Sequence, residues 1–582
     1  MQRRRFLKTM SAAPTALASS FVLRAGERFS FGHSDSDQEP QVFFYDDGRH
    51  ASGLYQFQPP LIPADLNLAV DQLTDSGVDT LFYSAGLEGG VVQYDSQVAD
   101  KWGDNVQEWS HPIFYRAARN LQQLIADGHD PMRFLSERCH QNRMYFLPTC
   151  PLGIVGGSRK TDLGYGRKSD FVLDHPQFYV GEDPDPRAEN MARFHTAKRL
   201  SFLHNQVRRE RFLIFEELLT RYETDGVEVD LSIDNEFAPL CLLGEVAEYT
   251  AVLTQWIRDL RKVATEAAQS QQRRKRIYIR IPAANLSHWE SLGFDVPSWI
   301  SEELVDGLVC ITANKKETRR DSVVFADQNL DLDAALQLTR GTTCRVLAGF
   351  ASPLGRQLES TATPSMIWGA AALSYRKGAD GFGLCSGMWA PQGWPWGARE
   401  YSTLRLLGHP DLLQTANKTY LVPSQSKGSG QGGTLRDGRI LLPRELDEGD
   451  SLTARLSIAD DLPRWSALGR VQSVRLWVRM TNYEPTLNKI EVRLNGIRIP
   501  DSLRRGSDLH FHAIKNAFVG PYGFAFEYSL PKEFHPRQGE NEVSVKLVKR
   551  DPKLKSPREV YDIALFIDYL PHRNFQKAPI PF

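Results

Sequence analysis

The chain has 582 residues, a formal net charge of -1, 41% hydrophobic residues and 24% charged ones. This is an ordinary globular mixture, long enough for a large core and more than one domain. No Lys/Arg cluster is interleaved with aromatics, so nucleic acid is not an expected partner; the basic run Arg273–Arg274–Lys275–Arg276 closes a predicted helix, where cations suit the helix dipole.

The N-terminus reads as an export signal. "RRRFLKT" is followed by the short apolar run "MSAAPTALASSFVL", with small residues at Ala16–Ala18. Arg3 and Arg4, followed by Phe6, Leu7 and Lys8, match the twin-arginine pattern. The signal is assigned to residues 1–30 and a polar linker to 31–40, with a periplasmic or extracellular destination. The apolar run is too short to span a bilayer and no later segment is long enough, so no transmembrane segment is expected. Cys150, Cys310, Cys344 and Cys385 fall in or at the end of apolar strand-like runs, and no CxxC occurs. Buried thiols are expected rather than a disulfide framework.

From residue 42, strand-like and helix-like segments alternate. The strand-like runs are 42–46, 79–84, 143–149, 226–231, 276–281, 307–312, 344–350 and 381–386, eight in all. The clearest helix is 205–222, with Phe212, Phe215, Leu219 and Tyr222 on one face; others lie near 111–126, 244–268, 331–340 and 364–377. Eight such alternations predict a parallel (β/α)8 barrel over residues 41–415. "TDGVEV", "VDGLVC" and "ADGFGL" each place Asp-Gly where a helix ends and a strand begins. Gly suits the positive φ of a helix C-cap and Asp a tight turn, so Asp225, Asp306 and Asp380 are assigned to stability at the bottom of the barrel.

Past residue 415 the pattern changes to period 2 with almost no helix signal, in "TLRDGRILLP", "SVRLWVRMT", "KIEVRLNGIRI", "GFAFEYSLP", "NEVSVKLVKR" and "DIALFIDYL". Residues 416–582 are therefore expected to form an antiparallel β-sandwich acting as an accessory domain.

Several motifs carry little. His510-x-His512 has the spacing of a metal pair but lies in the sandwich without a third ligand. "DQNLDLDAALQL" starts like a calcium loop, yet its sixth position is Leu332 and its twelfth Leu338. "GLEGG" lacks the Lys and Ser/Thr of a nucleotide cradle. No metal and no cofactor is called for. The loop after the eighth strand, "GMWAPQGWPWG", brings together Trp389, Trp394 and Trp396. They form either a sugar-stacking platform on the top face or a local hydrophobic cluster.

The fourth strand is the most informative. Val227, Val229 and Leu231 alternate with Glu228 and Asp230, so the acids point into the barrel and Asp230 lies nearer its top. On the next strand Ile277, Ile279 and Ile281 alternate with Tyr278 and Arg280, which places Arg280 beside Glu228 or Asp230 and keeps at least one of them ionised.

"RYETDGVEVDL" with Phe237-Ala-Pro beyond it, "RIPA" followed by "GFDVPSWISEELVDGLV", "VQYDSQVADKWG" and "LDHPQFYVG" resemble a family of exported planctomycete-type proteins classed with the glycosyl-hydrolase-like family 10 barrels. The resemblance covers most of residues 40–400 and includes the sandwich; it implies a glycosidase-like barrel without a fixed substrate. "DGVEVDLS" is more distantly similar to the DGxDxDxE signature of chitinase-like barrels, with Ser232 where that signature carries its catalytic Glu.

The reading that follows is a glycoside hydrolase acting on a polysaccharide or oligosaccharide through two carboxylates at the barrel top. Asp230 is the expected nucleophile or base. Glu236, beside Phe237 and Pro239, is the expected proton donor, with Asp234 in reserve. Glu228, Arg280, Asn314, Trp389, Trp394 and Trp396 are the expected substrate-binding residues. Three other readings stay open: a carbohydrate-binding barrel without catalysis, suggested by Ser232 and by the lack of an acid on the seventh strand; a non-glycosidic barrel enzyme; and an acid cluster that is only scaffold. Sugar, linkage and oligomeric state do not follow from the sequence.

Overall fold

The computed structural model describes residues 39–49, 53–190, 197–233, 236–312, 324–325, 327–350, 353–354, 360–385, 398–425, 433–435, 437–508 and 524–572. Eight parallel strands close into a barrel: β1 (Val42–Asp46), β2 (Thr80–Ser84), β3 (Tyr145–Pro151), β4 (Gly226–Asp230), β5 (Arg276–Pro282), β6 (Gly307–Ile311), β7 (Arg345–Phe350) and β8 (Gly381–Leu384). Each pairs with its sequence neighbours, and β1 pairs with β8. Each of the eight barrel strands expected from the sequence is present, with ends moved by no more than two residues.

The surrounding helices are built from ordinary signals. Pro112–Ala126, Pro131–Gln141 and Pro364–Lys377 each start with proline, where a missing N–H costs nothing. Asn205–Thr220 and Val246–Gln271 pack on each other and bury Phe215, Leu218, Leu219, Trp256 and Ile257. Among the described residues, no helix is long and apolar enough to cross a membrane. All six cysteines are buried free thiols.

The barrel interior is filled asymmetrically. Phe82 on β2 meets Phe43 on β1 at 5.2 Å and reaches across to Tyr278 on β5 at 5.8 Å. Glycines opposite them leave the space. A Cβ on Gly307 would sit 2.2 Å from the Tyr278 ring, and one on Gly383 would sit 2.4 Å from the Phe43 ring. The Asp-Gly repeat therefore needs a corrected explanation. Gly226 does have a positive φ, at +142°, but Gly307 and Gly381 do not; they are required by close approach of Tyr278, and of Gln41 O and Leu347.

The aspartates of that repeat staple the barrel base. Asp225 accepts the Phe146 N–H at 2.8 Å, Asp306 that of Ile277 at 2.8 Å, and Asp380 that of Val346 at 2.8 Å. Asp79, just before β2, does the same for Val42 at 2.9 Å. Each also returns its own N–H to the carbonyl of the residue it caps. Thus the start of every odd-numbered strand is closed by the aspartate that opens the next one. Asp225 is further held by His140 at 2.9 Å and Arg273 at 3.0 Å. Burial works to raise its pKa, but His140, the Phe146 N–H and Arg273 outweigh it and hold the carboxyl below its ordinary range.

The C-terminal region forms two antiparallel sheets. One contains Lys418–Leu421, Arg444–Leu446, Val471–Thr481, Arg504–Asp508, Phe524–Ser529 and Arg558–Tyr569; the other contains Ser451–Ile458, Lys489–Leu494, Ile497–Arg498 and Gly539–Lys549. Their inner faces share a core that includes Leu456, Leu476, Val492, Phe526, Val545 and Leu565. Two details differ from the sequence expectation. The run 434–443 makes two isolated bridges, Thr434 to Ile440 and Leu442 to Ser424, instead of a strand, and the strand Ser451–Ile458 and helix Leu462–Ala467 were not anticipated. Arg439 joins this region to the barrel with a two-pronged contact to buried Asp327, at 2.7 and 2.9 Å. His510 and His512 lie outside the described residues.

Replacing Asp225 with alanine should cost about 1–3 kcal/mol, because it orphans the buried Phe146 N–H; urea unfolding measures this. The sign with pH follows from the depressed carboxyl. Its contribution is in place above the ordinary aspartate value of 3.8 and is lost as pH falls through the folded value. The gap between wild type and Asp225→Ala should therefore narrow below about pH 4.

Candidate active site

In (β/α)8 barrels the C-terminal strand ends and the loops that follow them carry the chemistry. Here that end is organised around Arg280. Its Nε and Nη2 donate to the two oxygens of Glu228, at 3.0 and 2.8 Å, and its Nη1 reaches Asp230 Oδ2 at 3.4 Å. The register places Asp230 directly opposite Arg280 on β5 and Glu228 opposite Thr149 on β3. Thr149 donates its hydroxyl to Glu228 Oε2 at 2.6 Å. Across the barrel, the Arg280 guanidinium lies 4.6 Å over the Tyr45 ring of β1. Strands β1 and β5 are on opposite sides, so this stack closes the interior below the mouth.

The two acids of β4 are not equivalent. Glu228 has no exposed surface and all its oxygens are engaged. Burial pushes its carboxyl above the usual range, and Arg280 works against that shift. Two residues higher, Asp230 is 9% exposed. Ser232 donates to Asp230 Oδ1 through both its backbone N–H, at 2.8 Å, and its hydroxyl, at 2.6 Å. Oδ2 meets only the long Arg280 contact among the described residues. The Arg280 cation is stabilised well above its already high pKa by the two acids, despite burial. Cys385, just past β8, is pushed up to about 12 by burial and so stays a neutral thiol beside this network.

The structure thus brings Glu228, Asp230 and Arg280 together. Glu236 is half-buried on a two-residue hairpin, Ser232–Ile233 against Glu236–Phe237, directly beyond β4. Asp234, Asn314, Trp389, Trp394 and Trp396 lie outside the described residues. Sequence reasoning did not pick out Tyr45 or Thr149. Both were accessible to the alternation rule: Phe43 and Tyr45 on β1, and Leu147 and Thr149 on β3, follow the same inward period as Glu228 and Asp230.

No family model matches the chain, and no curated protein matches it. Among solved structures it is similar to a noncanonic maltogenic α-amylase from Thermotoga neapolitana, with TM-score 0.35 and 10% identity over 86% of this chain and 98% of that one. It is similar also to α-L-fucosidase isoenzyme 2 from Paenibacillus thiaminolyticus, with TM-score 0.39 and 10% identity over 64% of this chain and 49% of that one. A third is a cycloisomaltooligosaccharide glucanotransferase from Paenibacillus sp., with TM-score 0.33 and 9% identity over 90% and 57% of the two chains. The chain spans about half the length of the last two.

Replacing Arg280 with methionine should strand two carboxylates in the barrel and cost about 3–5 kcal/mol. Adding Glu228→Gln removes one of those charges, so the double variant should recover about 1 kcal/mol or more. Strictly additive losses in thermal or urea unfolding would show that the three side chains are not one network.

Proposed function

We propose that the protein is a glycoside hydrolase acting on a polysaccharide or oligosaccharide at the top of the barrel. The observation that carries this reading is the placement of Asp230: a carboxyl at the C-terminal end of β4, with Oδ1 held by Ser232 and Oδ2 in a long contact with Arg280. A fixed acceptor suits the role of nucleophile or base. Glu236, on the hairpin above, is the proton donor in this scheme, and Asp234 is its reserve. Glu228 and Arg280 hold Asp230 in place from below, and Tyr45 forms the floor.

The test begins with a panel of polysaccharides and detection of released reducing ends. On a substrate so identified, Asp230→Asn and Glu236→Gln should each lower turnover by at least ~100-fold while the fold survives. Nearly full activity in both variants would place the site elsewhere.

A carbohydrate-binding barrel without turnover is the second reading. It draws on Ser232, which occupies the position where chitinase-like barrels carry their catalytic acid. Polysaccharide binding without release of reducing ends from any member of the panel distinguishes it.

The same proposal includes export by the twin-arginine route, supported by Arg3, Arg4 and the apolar run behind them. Replacing both arginines with lysine should retain the protein in the cytoplasm, as read by cell fractionation. An unchanged periplasmic yield overturns that part.

A further inference from the structure

The segments after β2 and β3, including the first turn of the helix Pro112–Ala126, carry aromatic rings that the barrel's packing does not use. Tyr115 and Tyr165 are 45% and 41% exposed, and no other tyrosine, tryptophan or phenylalanine among the described residues is as exposed. Both belong to one surface shelf. Tyr115 stands edge-on to Trp109 at 5.8 Å, and Tyr165 edge-on to Phe114 at 5.1 Å.

The shelf is built rather than incidental. Trp109 lies against two glycines with positive φ: a Cβ on Gly103 would approach its ring to 2.6 Å, and one on Gly166 to 2.9 Å. The two loops are stitched together by the Ser110 N–H and hydroxyl, both donating to Gly164 O at 2.9 Å. The Trp102 indole N–H donates to Tyr165 O at 3.3 Å. Fixed rings lose little freedom when a ligand stacks on them.

The shelf stands at the end of the barrel that carries the mouth. The segments that build it follow β2 and β3, and loops at this end surround the mouth. Phe114 anchors it on buried Tyr55, with ring centroids 6.3 Å apart.

The geometry points to an outlying glycan-binding shelf, on which Tyr115, Tyr165 and Trp109 stack against the C–H faces of sugar rings in a polysaccharide whose chain continues into the barrel mouth. The occupant rests on the carbohydrate reading above, but the shelf does not depend on catalysis. Two exposed rings with Ile113 at 36% exposure offer too little apolar surface for a protein interface, which takes about 800 Å² per partner. They suit flat pyranose faces, and the exposed Glu108, Ser110 and His111 beside them suit hydroxyls.

The test is affinity electrophoresis of the full chain in gels containing dextran, laminarin, xylan or glycol chitin. The polysaccharide that retards the wild type most becomes the probe. The double variant Tyr115→Ala/Tyr165→Ala should bind it about tenfold more weakly. Its melting temperature, and its release of reducing ends from a short soluble oligosaccharide, should stay at the wild-type level. Asp230→Asn should be retarded like the wild type. A wild type that is retarded but releases no reducing ends therefore counts against the catalytic reading alone. The shelf is overturned by unchanged retardation of the double variant, by a wild type that none of the four polysaccharides retards, or by a change in sedimentation showing that these tyrosines bury a contact between copies of the chain.

Discussion

At the base of a parallel barrel the strands begin in a buried environment, and an amide left there without a partner costs about 1–3 kcal/mol. This chain meets that constraint with one device used four times. Asp79, Asp225, Asp306 and Asp380 each sit one residue before an even-numbered strand and close a two-bond ring with a residue at the start of the preceding odd-numbered strand. Strand pairs are thereby fixed in register from below by a side chain that the sequence delivers automatically at the strand entry. Arg273 and Arg274, at the end of a long helix, add cations to Asp225 and Asp306. The basic run read from the sequence as a solvated helix end is in part the counter-charge to this ring.

With register set from below, the other end can hold an arrangement that does little for stability. Removing two acids and an arginine from water is expensive, and apolar replacements of equal shape often cost less. The barrel nevertheless carries Arg280 across its interior, from the acids of β4 to the ring of Tyr45 on the opposite strand. The consequence is positional. A two-residue step along an extended strand moves a side chain about 6.6 Å toward the top without changing the face it points to. Glu228 is consumed by the guanidinium, and Asp230, one step up, reaches the mouth. The buried half of the network is what makes the exposed half rigid.

How much of this was legible depended on where the period was applied. The valines and isoleucines of β4 and β5 made the inward placement of Glu228, Asp230 and Arg280 readable, because a one-residue slip would bury every charge against the helices. The same rule on β1 and β3 would have found Tyr45 and Thr149, but β3 carries no charge and the one on β1, Asp46, falls out of step with Phe43 and Tyr45. The Asp-Gly pairs were rightly read as structural, yet for an incomplete reason: the glycines of β6 and β8 answer to rings and backbone on neighbouring strands, and such close approaches leave no local trace. Ser451–Ile458 did carry its alternation, in Leu452, Ala454, Leu456 and Ile458. The polar residues between them, Ser451, Thr453, Arg455 and Ser457, left the run without a strong apolar signal. The aromatic shelf was beyond reach, since Tyr165 lies fifty residues from Tyr115 and only the fold brings their loops together.

Ser232 shows how one substitution within a motif can change the role of its neighbour. An acid at that position would place a second negative charge above Asp230 and compete with it for Arg280. Serine instead turns two donors back onto Asp230 Oδ1, so the carboxylate cannot rotate about its bond to the strand. Its remaining capacity lies on Oδ2, whose contact with Arg280 is long at 3.4 Å. Held this way beside Arg280, the carboxyl is suited to present Oδ2 in one direction. The proposed acid partner, Glu236, stands on the short strand Glu236–Phe237 that pairs with Ser232–Ile233 just beyond β4, and so stays attached to the strand that carries Asp230.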